Sequence, residues 1–195
     1  MLLSIIVPVY NIENYVGACI NSIIDQDIDS NDYEIIIVDD GSKDGSSQIV
    51  KEFEKQEANI TVHRQKNVGL GGARKSGLKL ATGKYIYFLD GDDYLARNTL
   101  GAVIETAEKY DLDITGFNIL TTKSLDLKES QYHHQNEEIN VMDGITFLAK
   151  SENYRVEVWW YIIKREFFDA AEATFEDKRF VNDSYFTPSL FCKAK

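Results

Sequence analysis

Two cysteines in 195 residues are too few for a disulfide framework. Cys19 falls on the apolar face of an expected helix and Cys192 near the end of the sequence, so both are expected to be reduced structural thiols, which suits the cytosol. The only prolines are Pro8 and Pro188, and the sequence carries neither internal repeats nor a low-complexity tract. No apolar run approaches the roughly 20 residues that span a bilayer. Basic residues are also outnumbered, 21 Lys and Arg against 32 Asp and Glu, a formal charge of −11. That balance argues against nucleic acid and against an anionic membrane surface as the main partner, because both select basic patches. An anionic small substrate stays open, provided that a metal ion supplies the positive charge. The first nine residues lack a basic start and a small-residue cleavage site, so they read as a strand and not as a signal peptide.

With 44% hydrophobic and 27% charged residues, the composition is that of a soluble globular protein. Its length suits one α/β domain, or a nucleotide-binding half joined to a smaller second half. Leu3–Val9 is apolar and β-branched without polar alternation, as in a strand covered on both faces. Pro8 sits at its end, where a missing N–H does least harm. Val16, Cys19, Ile20, Ile23 and Ile24 recur at helical spacing, with Asn11 in the cap region. Strands are expected over Glu34–Val38, Ile60–His63 and Tyr85–Leu89, with helices over Ser46–Glu57 and Ala73–Ala81 between them. Strands alternating with helices through short loops predict a mostly parallel sheet with helices on both faces. Beyond residue 100 the pattern predicts a helix over Leu100–Tyr110, a strand over Asp113–Leu120, an irregular polar stretch over Thr121–Asn140, a helix over Ile145–Lys150, a β-rich segment over Val156–Ile163 and a helix over Asp183–Lys195. Pro188 fits that last helix only in its first turn or at a kink.

The fourth strand stops on Asp90-Gly91-Asp92-Asp93. Three crowded carboxylates repel one another, and hard divalent cations are the natural counter-charge. Asp39 and Asp40 close the second strand in the same way, so both acid sets should leave one edge of the sheet, where ligands of open α/β sheets bind. The bland alternative is a pair of solvated Asp/Gly turns. Asn67-Val68-Gly69-Leu70-Gly71-Gly72-Ala73-Arg74 follows a strand and opens a helix, yet Arg74 occupies the place of the third glycine in a dinucleotide fingerprint. It suits a loop that approaches a ligand closely, with helix N–H groups and Arg74 available to phosphate, or else a simple tight turn.

In order along the chain run Pro8-Val9-Tyr10-Asn11, Val38-Asp39-Asp40-Gly41-Ser42 with Asp44, Asn67-x-Gly69 through Ala73-Arg74 to Gly77, Ala81-Thr82-Gly83, and Phe88-Leu89-Asp90-Gly91-Asp92-Asp93. This ordered set resembles glycosyltransferase family 2, inverting enzymes of the GT-A fold, densely over residues 1–95 and more thinly through Trp159–Phe168 and Asn182–Leu190. The resemblance implies an α/β, Rossmann-like, mostly parallel central sheet within one compact GT-A domain. A donor-binding half would cover residues 1–98, and a smaller acceptor half, incomplete at its C-terminus, residues 99–195. It further implies a donor site from Pro8, Val9, Tyr10, Asn11, Glu13, Asp40, Asn67, Gly69, Arg74, Asp90, Gly91 and Asp92. Tyr10 would stack on the base, Asp40 would accept from a uracil-type N–H, and Asp92, with Asp90, would hold Mn²⁺ or Mg²⁺ on the diphosphate. Tyr10 would otherwise be a core aromatic.

In related members the catalytic base is the aspartate of a Glu-Asp pair opening a late helix, which carries over to Asp183, with Asn182 in place of the glutamate. Asp183 also suits a plain helix cap. Trp159 and Trp160 would line the acceptor side, or belong to the core. Lys75 replaces an asparagine common after the family's Ala-Arg, and His133 and His134 read as solvated. The implied partners are a nucleotide-sugar, most simply a UDP-sugar, and a glycan or lipid-linked glycan of a bacterial surface polysaccharide. No nucleic acid is implied. The implied location is the cytoplasm, with at most peripheral attachment to the inner face of the cell membrane. A nucleotidyltransferase and a non-catalytic nucleotide-sugar-binding module are the competing readings.

Overall fold

The computed structural model describes residues 1–119, 121, 139–151, 154–175 and 183–195. Its elements follow in the order β1 (Leu3–Val9), α1 (Val16–Ile24), β2 (Tyr33–Asp39), α2 (Ser46–Gln56), β3 (Ile60–Arg64), α3 (Leu70–Leu80), β4 (Tyr85–Phe88), α4 (Leu100–Tyr110), β5 (Ile114–Gly116), α5 (Gly144–Lys150), β6 (Tyr161–Lys164), α6 (Arg165–Ala170) and α7 (Asp183–Phe191). Among the described residues the strands form one six-stranded sheet in the order β3-β2-β1-β4-β6-β5. β1 pairs parallel with both β2 and β4, β2 pairs parallel with β3, and β6 runs antiparallel to β4 and to β5. Strands from both halves of the sequence therefore share the sheet.

Side chains alternate across each strand, so every central strand feeds two cores. Leu3, Ile5, Val7 and Val9 face the same side as Ile35, Ile37 and Tyr87, where Val16, Ile20 and Ile23 of α1, Val50 of α2 and Ile104 of α4 cover them. Ile6, Ile36, Val38, Ile86 and Phe88 face the other side, against Ala73 of α3, Phe168 of α6 and Phe186, Leu190 and Phe191 of α7. Coverage on both faces is the physical reason for the unbroken apolar runs. Each fully buried side chain of this kind contributes about 1.5–3 kcal/mol. No helix among the described residues is long and apolar enough to cross a membrane.

Several boundaries differ from the sequence expectation. α3 starts at Leu70 and not at Ala73, because the chain already turns at Gly69 with φ +90°. β5 keeps only three residues. β6 starts at Tyr161, the 157–160 stretch being a turn where a β-rich segment was expected. α6 is a short helix that no periodicity announced. Pro188 lies inside α7, past the first turn. The stretch expected to be irregular over 121–140, with His133 and His134, lies almost wholly outside the described residues, as do Phe180, Val181 and Asn182. Both cysteines are free, Cys19 buried and Cys192 exposed.

At the opposite edge of the sheet, Ser4 Oγ and Thr82 Oγ1 donate to Glu34 Oε1 (2.7 and 2.8 Å), and the Gly83 N–H donates to Ser4 Oγ (2.7 Å). The Ala81-Thr82-Gly83 motif thus serves the far end of the fold, where it ties the start of β4 to β1 and β2.

Candidate functional site

Because β1, β2 and β4 are parallel, Tyr10, the Asp39-Asp40 pair and Asp90 all emerge at one edge of the sheet. Pro8 and Val9 are buried in β1 and form the floor there. Leu89 N–H donates to Ile6 O while Asp40 N–H donates to Val9 O, so even positions of β1 face β4 and odd ones face β2. The missing N–H of Pro8 therefore falls on the β4 side, beyond the last pair, Ile6 with Phe88.

The loop after β1 is laced to the loop after β2. Asn11, at φ +53°, donates its N–H to Ser42 Oγ (3.2 Å) and accepts from the Lys43 N–H at Oδ1 (2.8 Å). Ile12 N–H donates to Ser46 Oγ (2.9 Å), and Gly45 N–H donates to Glu13 Oε2 (2.6 Å). One expectation changes here. Asn11 does not cap α1, whose N-cap is Tyr15 without a side-chain cap bond. Glu13, itself exposed, staples the two loops through one carboxylate oxygen. The lacing leaves Tyr10 standing at the rim, 45% exposed, so the core-aromatic alternative does not hold.

Asp40 is 3% exposed. Its Oδ1 accepts from Gln65 Nε2 (2.8 Å) and the Val68 N–H (3.0 Å), and its Oδ2 from the Gly69 N–H (2.8 Å). A carboxylate has about four acceptor sites, and three of the strongest directions are taken. Asp40 thus fastens the exposed Asn67 and the Gly69 turn that opens α3. Asp39 accepts from Ser42 N–H and Ser47 Oγ, with Arg64 3.5 Å away. Burial would raise its pKa, but those bonds outweigh burial and hold it below the usual carboxylate value.

Gly91 is buried against the end of β1, and Asp93 N–H closes the corner on Asp90 O (2.9 Å). Behind the corner lies Arg74, fully buried at 0% exposure. Its Nη2 donates to Asp90 Oδ1 at 2.6 Å, and its Nη1 to Asp183 Oδ1 at 2.9 Å. Asp183, the first residue of α7, is 109 positions away in sequence. The guanidinium carbon lies 5.6 Å from the centre of the Phe175 ring. Arg74 is thus committed to two carboxylates, and the expectation that it points at a phosphate is corrected. Burial, with Asp90 and Glu157 nearby, lifts Asp183 to about 6 against the pull of Arg74. Burial, then Asp92, Asp90 and Glu157, lifts Asp93 to about 6 as well.

A cation fits this corner on its donor chemistry. Asp92 is exposed, and the bond to Arg74 engages Oδ1 of Asp90. Among the described residues no group of three His, Cys, Asp or Glu side chains is arranged to hold a metal. One or two carboxylates completed by substrate phosphates is how Mg²⁺ is commonly held beside a nucleotide.

The two tryptophans part company. Trp160 is 8% exposed, donates Nε1–H to Arg155 O (3.1 Å) and packs against Phe147, Tyr161 and Phe191, so it belongs to the core and offers no face to a sugar. Trp159 is half-buried, with the Arg155 guanidinium 5.7 Å from its ring centre. Sequence reasoning missed Glu157, which sits in an aperiodic stretch between Arg155 and Trp159 but bears electrostatically on both Asp93 and Asp183. It also missed Gln26, a buried amide that no motif marks.

The family described as Glycosyl transferase family 2 matches residues 4–169. A Bacillus subtilis (strain 168) relative, the uncharacterized glycosyltransferase EpsJ, is 38% identical over 201 residues, covering all of this chain and 57% of its own length. A poly(ribitol-phosphate) beta-glucosyltransferase of Bacillus spizizenii is 30% identical over 199 residues, covering all of this chain and 30% of itself. The crystal structure of S. aureus TarS 1-349 in complex with UDP-GlcNAc superposes with a TM-score of 0.78 at 26% identity, covering 100% of this chain and 54% of that one. The chain thus spans little more than half of the length of these proteins, or less.

Proposed function

The chain belongs to glycosyltransferase family 2, and from that membership we propose that it carries the donor site and catalytic base of an inverting, metal-dependent sugar transferase. The donor is a UDP-sugar and the acceptor a hydroxyl of a glycan or lipid-linked glycan of the bacterial surface. UDP-GlcNAc bound to TarS and the poly(ribitol-phosphate) acceptor in the name of a relative support these classes. Family membership also weighs against a nucleotidyltransferase. The protein would act in the cytoplasm, attached at most peripherally to the membrane.

The observation that carries the reading is the shared arginine. Arg74 brings the acid of the strand-end corner and the acid of the late helix onto one side chain. Asp183 is half-buried with its pKa lifted to about 6, near the value at which a carboxylate takes up a proton effectively at neutral pH. In this scheme Asp183 removes the proton of the acceptor hydroxyl, which then displaces the nucleoside diphosphate from the opposite face of the sugar. Tyr10 covers the base, while Asn67 and the Gly69 turn line the path of the ribose and diphosphate. Asp92, with Asp90, would hold Mn²⁺ or Mg²⁺, which supplies counter-charge to the departing diphosphate. Trp159 is the remaining candidate for the acceptor side.

Calorimetric titration of UDP and then GDP, with and without Mn²⁺, tests this directly. Binding of UDP that needs the cation and disappears in Asp92→Ala is the expected result. Binding indifferent to the cation would reduce the Asp-Gly-Asp-Asp corner to a turn. Binding without release of UDP from any UDP-sugar would favour a non-catalytic module.

A further inference from the structure

Arg74 sits in the second turn of α3 with no exposed surface, although a guanidinium is a permanent cation. Its two terminal nitrogens are spent on different carboxylates, one oxygen each, and its ring-facing side lies over Phe175. Among the described residues its Nε finds no partner. A guanidinium in this position reaches a diphosphate only by abandoning one of the two acids. What it can do instead is fix their separation, because the fork is planar and rigid. We propose that Arg74 is a positioning residue that holds the cation-side carboxylate Asp90 and the base Asp183 at a set spacing, so that the second oxygen of each faces the site.

This rests on the transferase reading above, in which Asp183 is the base. Among the described residues, the groups that bear on Asp183 are Arg74 of α3, Asp90 of the corner, Glu157 of the segment before β6 and the hydroxyl-bearing Tyr161 of β6. Arg74 is the cation among these described groups, so its removal should alter both where the Asp183 carboxylate lies and how it titrates. A phosphate-binding arginine would behave differently: its loss would weaken donor binding and leave Asp183 alone.

The test uses carboxyl-carbon NMR of Asp183 in the metal-free protein, calorimetry with UDP and Mn²⁺, and release of UDP from UDP-GlcNAc. In Arg74→Met the Asp183 midpoint should rise by about one pH unit or more. UDP release should fall about 100-fold, the scale of a misplaced reacting group, with UDP affinity changed far less. Arg74→Lys should restore part of the midpoint but little of the rate, since an ammonium cannot hold two carboxylates at the spacing of the fork. An unmoved Asp183 midpoint together with lost UDP affinity would overturn the proposal in favour of a phosphate contact. If neither arginine variant folds, guanidinium nitrogen NMR of Arg74 in the wild-type protein decides: Nη signals unmoved by UDP and Mn²⁺ support the positioning role, and signals that shift on UDP binding overturn it in favour of a phosphate contact. A wild-type protein that neither binds UDP nor releases it would sink the transferase reading itself, while the NMR result still reports on Arg74.

Discussion

Gly91 lies directly against the carbonyl oxygen of Pro8. A Cβ built on Gly91 would come within 2.9 Å of that oxygen and 2.6 Å of Ile12 Cδ1. The first neighbour is backbone of the central strand and cannot step aside, so the acid corner is seated on the end of β1 by the absence of a side chain. Position 91 therefore sets where Asp90 and Asp92 stand relative to the Tyr10 loop.

Gly91→Ala should push the corner outward. Overpacking at such a contact costs about 1–3 kcal/mol, read as a lower urea midpoint. The larger effect should be on UDP affinity in the presence of Mn²⁺, because a shift of the corner would move Asp90 and Asp92 relative to the Tyr10 loop. A variant with wild-type stability and affinity would show that the contact relaxes freely.

Tyr10 offers a ring to solvent at the rim of the sheet, held there by the Asn11 bonds to Ser42 and Lys43. Stacking of an aromatic ring on a base is worth about 1–3 kcal/mol. Tyr10→Ala should therefore weaken UDP binding by roughly ten- to a hundred-fold, while Tyr10→Phe keeps most of it. Equal losses in both variants would point to the hydroxyl and away from stacking.

Much of this was legible in the sequence, for definable reasons. The unbroken apolar runs of β1, β2 and β4 reflect burial on both faces, and strand ends bearing Asp40 and Asp90 follow from parallel pairing. Asp40 and Arg74 were marked as site residues by their motifs, but their partners were not readable. Asp40 turns inward to Gln65, Val68 and Gly69, and Arg74 finds Asp183 across a long stretch of chain. Hydrogen-bond partners at that separation leave no periodic trace. The same holds for Trp160: its residue type suits a sugar face and a core equally, and only packing against Phe147 and Phe191 decides.

Gln26 illustrates a structural residue that no pattern reveals. Its Nε2 donates to Ser22 O and Ala96 O (2.9 and 2.8 Å), and its Oε1 accepts from the N–H groups of Thr99 and Leu100 (2.9 and 3.0 Å). Those N–H groups open α4, where no intrahelical acceptor exists for them. Gln26→Ala should cost about 2–4 kcal/mol, since several buried polar groups lose partners at once. Denaturant unfolding should show the loss while UDP affinity stays near wild type.

Asp183 titrates near 6 because burial outweighs the attraction of Arg74, against 3.8 for a free aspartate. An acid with a raised folded pKa holds its proton more tightly when folded. Its contribution to stability is full below about pH 3.8 and is lost as the pH rises through about 6, in the sense opposite to an ordinary paired carboxylate. Asp93 acts in the same direction over the same window. Asp183→Asn should therefore flatten, though not abolish, the decline in melting temperature between those values. In the proposed reaction catalysis would run the other way, since a base works only when ionised. Release of UDP from UDP-GlcNAc should rise with pH through about 6 in the wild type and fall about 10²–10⁴-fold in Asp183→Asn, with UDP affinity little changed. If the variant kept wild-type turnover and the same acidic limb, the base would be another group, and Asp93, with the same raised pKa, would be the first to substitute.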